Sequence, residues 1–212
     1  MGLAVDQLSL GPIGTNCYLV RRDPAAAEAV VIDPGADADV ILAALDRVGA
    51  SCAGILLTHS HYDHFGALAD VAARTGAPVW LPAGELDVFR RPDLFFPGLE
   101  TPAFTGEATQ LAGGETVEAA GISFRVLHVP GHSPGHLSYH AEGSLFSGDV
   151  LFNRSVGRTD LPFGDWETLL ASIRLLADSY PPETAVYSGH GPATSLGDEL
   201  ARNPFLTELR TP

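Results

Sequence analysis

The sequence predicts an α/β chain in which two β-sheets pack face to face with helices on the outside. Three observations carry that expectation. Apolar, strand-like runs alternate with stretches of helical periodicity. Four of the runs stop abruptly at His or Asp. The 212 residues, 45% apolar and 8% aromatic, suffice to bury a large core as one domain spanning residues 1–212. Taken in order, strands are expected at Cys17–Val20 and at Ala29–Ile32, the second closed by Asp33-Pro34-Gly35. A helix follows over Asp39–Val48 with Asp37 as a cap near its start, and Ile55–Leu57 reads as a buried strand. Phe65, Leu68, Val71 and Ala72 recur at helical spacing, so a helix is expected over Phe65–Arg74, then a strand at Val79–Leu81. Arg91–Gln110, rich in Pro and Gly and carrying Phe95, Phe96 and Phe104, is the longest irregular stretch, either a binding lid or a packed surface loop. Strands at Ile122–Leu127, Leu137–Tyr139, Leu145–Phe146 and Ala185–Tyr187 complete the sheets. Helices are expected at Trp166–Ala177, with Asp165 near its start, and more weakly at Leu196–Arg202.

The strand ends carry the chemistry. Directly after Gly54-Ile55-Leu56-Leu57, the segment His59-Ser60-His61-Tyr62-Asp63-His64 packs three imidazoles and one carboxylate into six residues. Neutral imidazole and carboxylate are ligands for zinc, iron or manganese, and no packing requirement calls for four of them together. Three further runs end alike: Phe124–Gly131 at His132, Ser144–Gly148 at Asp149, and Thr184–Gly189 at His190. A Gly precedes each of these residues, which lets the chain turn sharply toward a shared point. If the strand ends converge, His59, His61, Asp63, His64, His132, Asp149 and His190 make seven ligands. A catalytic zinc usually takes three protein ligands plus water, so seven suit two divalent ions with one carboxylate bridging.

The order His-x-His-x-Asp-His, a lone His, Gly-Asp and a late Gly-His resembles the metallo-β-lactamase-fold hydrolases over nearly the whole chain. Within that superfamily the short, glyoxalase II-like branch is the closest match. Ser147–Phe152, Ser155–Pro162, Gly189-His190-Gly191-Pro192 and Asn203-Pro204-Phe205-Leu206 carry it. The resemblance implies a four-layer αββα sandwich. It places His59, His61 and His132 on one metal, Asp63, His64 and His190 on the other, and Asp149 between them. It also implies a metal-bridging hydroxide as nucleophile and a thioester substrate such as S-lactoylglutathione. Asp63 could orient that hydroxide as well as bind metal. Asp149 is unlike the β-lactamases themselves, whose second site usually carries Cys or Ser there. Of the pair His132 and His136, the resemblance puts the metal on the first. His136 is then expected to hold a ligand in place through a hydrogen bond, and Asp33, at another strand end, to do the same or simply to form a turn.

A formal charge of −14 argues against duplex nucleic acid, and no apolar run approaches the roughly 20 residues of a membrane span. No signal peptide is visible, and Cys17 and Cys52 lie far apart, so reduced thiols and a cytoplasmic location are expected. All twelve basic residues are Arg. Glyoxalase II enzymes commonly hold glutathione partly through a Lys after the bridging Asp, which this chain cannot supply; Arg154 and Arg158 are the substitutes available for an anionic thiol carrier. With its end near Pro212, the chain is expected to do without the helical C-terminal domain of longer glyoxalase II enzymes. Two rival readings use the same residues. Persulfide dioxygenases would use one iron on His59, His132 and Asp149, and a non-catalytic metal-binding scaffold would use the ligands without turnover. His128 is expected as a satisfied core or edge residue of its strand and His140 as a surface one.

Overall fold

The computed structural model describes residues 2–98, 100 and 102–210. Residues 99 and 101 of the Arg91–Gln110 stretch, and the chain end at Pro212, lie outside the described residues. In chain order the elements are β1 (Ala4–Leu10), β2 (Thr15–Arg21), β3 (Glu28–Ile32), α1 (Ala38–Val48), β4 (Ser51–Leu56), α2 (Tyr62–Phe65), α3 (Leu68–Thr75) and β5 (Val79–Pro82). There follow α4 (Leu86–Arg90), α5 (Pro92–Phe95), β6 (Thr109–Leu111), β7 (Thr116–Ala119), β8 (Ile122–His128), β9 (Leu137–Ala141) and β10 (Ser144–Gly148). The last are β11 (Leu151–Phe152), β12 (Ser155–Val156), α6 (Trp166–Ser179), β13 (Ala185–Ser188), β14 (Thr194–Ser195), α7 (Leu196–Arg202) and a 3-10 segment Pro204–Arg210.

Two six-stranded sheets, ordered β1-β2-β3-β4-β5-β6 and β14-β13-β10-β9-β8-β7, form the inner layers. Alternation along the strands decides which side chain faces which layer. Val30 and Ile32 of β3 join Phe124, Val126, Tyr139 and Phe146 between the sheets, whereas Ala29 and Val31 face α1 and α3 with Ile41, Leu45, Leu68 and Val71. Beneath the second sheet, Leu169, Leu170, Ile173 and Leu176 of α6 are buried at helical spacing against Leu145 and Val186. Burial of that kind stabilises by roughly 1.5–3 kcal/mol per side chain. The result is the αββα sandwich, matching the expected layers. No helix among the described residues is long and apolar enough to cross a membrane, and both cysteines are free.

Several local expectations change. Asp165 caps α6 by accepting the Thr168 N–H, but Asp37 sits at φ 54° and caps nothing with its side chain. Its carboxylate instead accepts the Gly11 N–H at 2.9 Å, tying the β1–β2 turn to α1. The helix expected over Phe65–Arg74 is broken at Gly66-Ala67, because the Ala67 N–H bonds the Pro34 carbonyl at 3.0 Å. The Arg91–Gln110 stretch is partly regular, containing α5 and the start of β6. Phe104 is core, with its N–H on the Phe89 carbonyl, and Phe96 packs against Tyr62. His128 is exposed and bonded to the Pro134 carbonyl; His140 is only half-buried and stacks on Tyr180.

Candidate metal centre

The C-terminal ends of β4, β8, β10 and β13 reach one edge of the sandwich. β4 runs on into Leu57, Thr58 and the fully buried His59; His61 starts α2, and Asp63 and His64 lie inside it. His132, Asp149 and His190 follow the other three strand ends. Donor atoms of His59, His61 and His132 lie within 4.8 Å of one another, as do those of Asp63, His64 and His190. Asp149 stands between these triads. Its carboxylate is 3.5 Å from His132 Nε2, 3.3 Å from His64 Nε2 and 3.5 Å from His190 Nε2. All seven side chains named from the sequence therefore meet at one point.

The donors fit divalent cations. Asp149 Oδ1 and His64 Nε2 are buried without a hydrogen bond, an expensive arrangement unless something positive sits between them. His61 Nδ1 lies 3.1 Å from His59 Nε2 and 2.8 Å from His132 Nε2, three converging ring nitrogens with no carboxylate interposed. Electrostatics treats the two triads differently. Burial, reinforced by His132, holds His61 down at about 4, and burial with His64 puts His59 well below its ordinary value, so both stay neutral donors. Burial alone would raise Asp63, but His190, His64 and Thr15 outweigh it and set Asp63 at about 2. Asp149 is held well below the usual carboxylate range despite its burial, chiefly by His64 and His190. The carboxylates raise His190 to about 9, Asp149 first and Asp63 next.

Surrounding groups orient the donors. His64 Nδ1 is 2.9 Å from Asp33 Oδ2, and Asp33 also accepts the Thr58 N–H and hydroxyl at 2.8 and 2.7 Å. His136, fully buried and stacked on His59, accepts the Asp149 N–H at its Nε2 (3.0 Å). Asp33 thus touches His64, and His136 touches Asp149 and His59, each one contact behind the candidate donors. Thr15 donates to Asp63 Oδ2 at 2.8 Å, and Glu85 accepts from the Ser133 hydroxyl and Gly135 N–H at 3.0 and 2.7 Å, bracing the turn between His132 and His136. Sequence reasoning missed Thr15 and Glu85, and nothing local to either marks it. The glycines before the ligands act in different ways. Gly131 and Gly148 have positive φ as the sharp turns require, whereas Gly189 is needed for space: a Cβ there would collide with Asp149 Oδ1 and the His64 ring.

The two arginines are placed differently. Arg158 lends His132 its backbone carbonyl, 2.8 Å from Nδ1, while its guanidinium is exposed and paired twice with Asp160 at 2.7 and 2.6 Å. Arg154 turns the β11–β12 hairpin at φ 57°, and its guanidinium bonds Glu199 and the Asp198 carbonyl. Neither guanidinium touches the seven donors.

Comparison with known proteins agrees with this geometry. The family model for the Metallo-beta-lactamase superfamily matches residues 10–190. The chain is 35% identical over 200 residues to the hydroxyacylglutathione hydrolase GloC of Haemophilus influenzae, covering 90% of this chain and 92% of that one. Among solved structures, the BLEG-1 B3 metallo-beta-lactamase is 40% identical with a TM-score of 0.89, covering 96% of this chain and all (100%) of that one. TTHA1623, solved in a di-iron-bound form, is 41% identical with a TM-score of 0.84, covering 95% of this chain and 100% of the other.

Proposed function

Because the chain belongs to the metallo-β-lactamase superfamily of metal-dependent hydrolases, we propose that its seven donors form a two-metal centre that hydrolyses a thioester such as S-lactoylglutathione. The observation that carries this reading is the Asp149 carboxylate, in reach of His132, His64 and His190 at once and so shared between two complete triads. His59, His61 and His132 would hold one ion and Asp63, His64 and His190 the other. A bound pair of divalent ions supplies Lewis acidity, which lowers the pKa of water toward about 7 and stabilises negative charge on an attacked carbonyl. The protein's share of the work is positioning. Thr15 fixes one oxygen of Asp63, and Asp63, held at about 2, stays ionised at neutral pH and can align the attacking water. His61, Asp63 and His190 are the partly exposed donors, which makes their side of the cluster the approach for a substrate.

The thioester is supported by the likeness to GloC, and iron by the di-iron form of TTHA1623; His and carboxylate donors accept zinc and manganese as well. A small-molecule substrate suits a chain of charge −14 better than nucleic acid does. A one-iron persulfide dioxygenase would need only His59, His132 and Asp149 and leaves the Asp63, His64 and His190 triad unexplained. The likeness to BLEG-1 favours a second reading, opening of a β-lactam ring, which is also addition of water to an acyl carbon. The test is elemental analysis followed by assay of metal-loaded and chelated protein. The substrates are S-lactoylglutathione, glutathione persulfide with oxygen uptake, and a chromogenic cephalosporin. Two metals per chain and chelator-sensitive thioester cleavage are expected. Oxygen uptake without thioester cleavage overturns the proposal, and cephalosporin cleavage alone transfers it to the second reading.

A further inference from the structure

Phe163 combines two features that folding alone does not reward. It is 82% exposed, and its backbone lies at φ 70°, in the left-handed region that a bulky side chain rarely adopts. The loop that carries it is tied at both ends to the turn presenting His132. At one end the Arg158 carbonyl lies 2.8 Å from His132 Nδ1; at the other the Asp165 N–H donates to the Gly131 carbonyl at 2.8 Å. Between them the Gly164 N–H bonds the Leu161 carbonyl at 2.9 Å and closes a tight turn. With only Gly164 between it and that second anchor, Phe163 stays within roughly 10 Å of the Gly131 peptide. The two guanidinium groups of this segment are already paired, Arg158 with Asp160 and Arg154 with Glu199. What this short, pinned loop offers a molecule entering the centre is the apolar surface of Leu161, Pro162 and Phe163.

Resting on the thioester reading above, we propose that Phe163 is a specificity-determining residue whose ring packs on an apolar acyl group. The chain then prefers thioesters with an alkyl or aryl acyl group over S-lactoylglutathione. Strain and exposure at Phe163 are the expected marks of a residue whose partner arrives from outside the chain.

The test uses metal-loaded wild type, Phe163→Gly and Phe163→Leu. Glycine takes φ 70° freely, so Phe163→Gly folds at least as stably as wild type, and leucine keeps apolar surface at the tip. Each protein is titrated calorimetrically with two non-hydrolysable thioethers, S-hexylglutathione and S-methylglutathione. Binding of S-hexylglutathione should weaken about fivefold in Phe163→Gly and recover largely in Phe163→Leu, while S-methylglutathione binds all three alike. KM for S-hexanoylglutathione should rise in the same proportion with kcat unchanged, the sign of binding shared by ground and transition states. Equal affinity of wild type and Phe163→Gly for S-hexylglutathione, or no binding of it at all, overturns the assignment. If wild type cleaves neither S-hexanoyl- nor S-lactoylglutathione, the thioester reading fails instead, and the thioether titration still decides on Phe163.

Discussion

Asp149 depends on a neighbour that bonds its backbone rather than its carboxylate. Its N–H donates to His136 Nε2 at 3.0 Å, and His136 lies flat against His59, 4.6 Å between ring centroids. One buried imidazole therefore fixes the Asp149 backbone and covers one face of the His59 ring. In His136→Ala the Asp149 N–H is left buried without an acceptor, at a cost of about 1–3 kcal/mol. Metal affinity should fall about 10–100-fold, as for other groups that orient metal ligands. His136→Gln places an amide oxygen near the lost Nε2 and should restore much of it. Chelator competition and thermal melts check both. Unchanged affinity in His136→Ala would mean that Asp149 is positioned by its own strand end.

At the scale of elements, the segment from β12 to α6 separates a main-chain role from a side-chain one. Gly157 passes so close to Asp149 that a Cβ would collide with its carbonyl and stand 3.2 Å from His132 Nδ1. The next residue, Arg158, serves His132 through its carbonyl oxygen while its guanidinium faces Asp160. Gly157→Ala should accordingly lower both melting temperature and metal content. Arg158→Ala should leave both within error, since its ion pair is exposed and screened and any side chain brings the same carbonyl. Loss of metal in Arg158→Ala, read by elemental analysis, would show that the Asp160 pair holds the loop in place.

For the whole molecule, the centre joins the two sheets. His59, His61, Asp63 and His64 follow β4 of the first sheet; His132, Asp149 and His190 follow strands of the second. Hydrogen bonds already cross that seam, from the Tyr18 hydroxyl to the Ser188 carbonyl and from the Tyr139 hydroxyl to the Leu57 carbonyl, each at 2.6 Å. Metal adds to them by binding only the folded chain, worth about 4 kcal/mol at a thousandfold excess over Kd. The size of the effect depends on pH. In the metal-free chain Asp149 and Asp63 raise His190 from 6.5 to about 9, so below pH 6.5 this proton stabilises the fold in full. That contribution is lost as pH rises through 9, whereas metal binding, which must displace the proton, becomes tighter over the same interval. The melting-temperature gap between metal-loaded and chelated protein should widen from pH 6.5 to 9, with proton release on loading seen by calorimetry in buffers of different ionisation enthalpy. A gap that narrows over that range would remove His190 from the metal site.

The features that short-range pattern encodes were readable before folding. The β-branched run of β3, the spacing of Leu169, Leu170, Ile173 and Leu176 in α6, and the crowd of imidazoles after Leu57 all lie within a few residues. The seven donors were legible because residue type already states their chemistry and each follows a strand. Edge strands β1, β6, β7 and β14 were not legible. They are short or weakly alternating and are strands only because a neighbour supplies the register, as Ala4 to Leu10 pair with Arg21 to Thr15. Tertiary structure alone decided the supporting groups. Thr15 lies 48 residues from Asp63 and Glu85 lies 50 from Gly135, and each is an ordinary polar residue until folding brings its partner within 3 Å. It also decided that Arg158 reaches His132 through its backbone, because hydrogen bonds are selected by distance and direction, and those exist only once the chain has closed on itself.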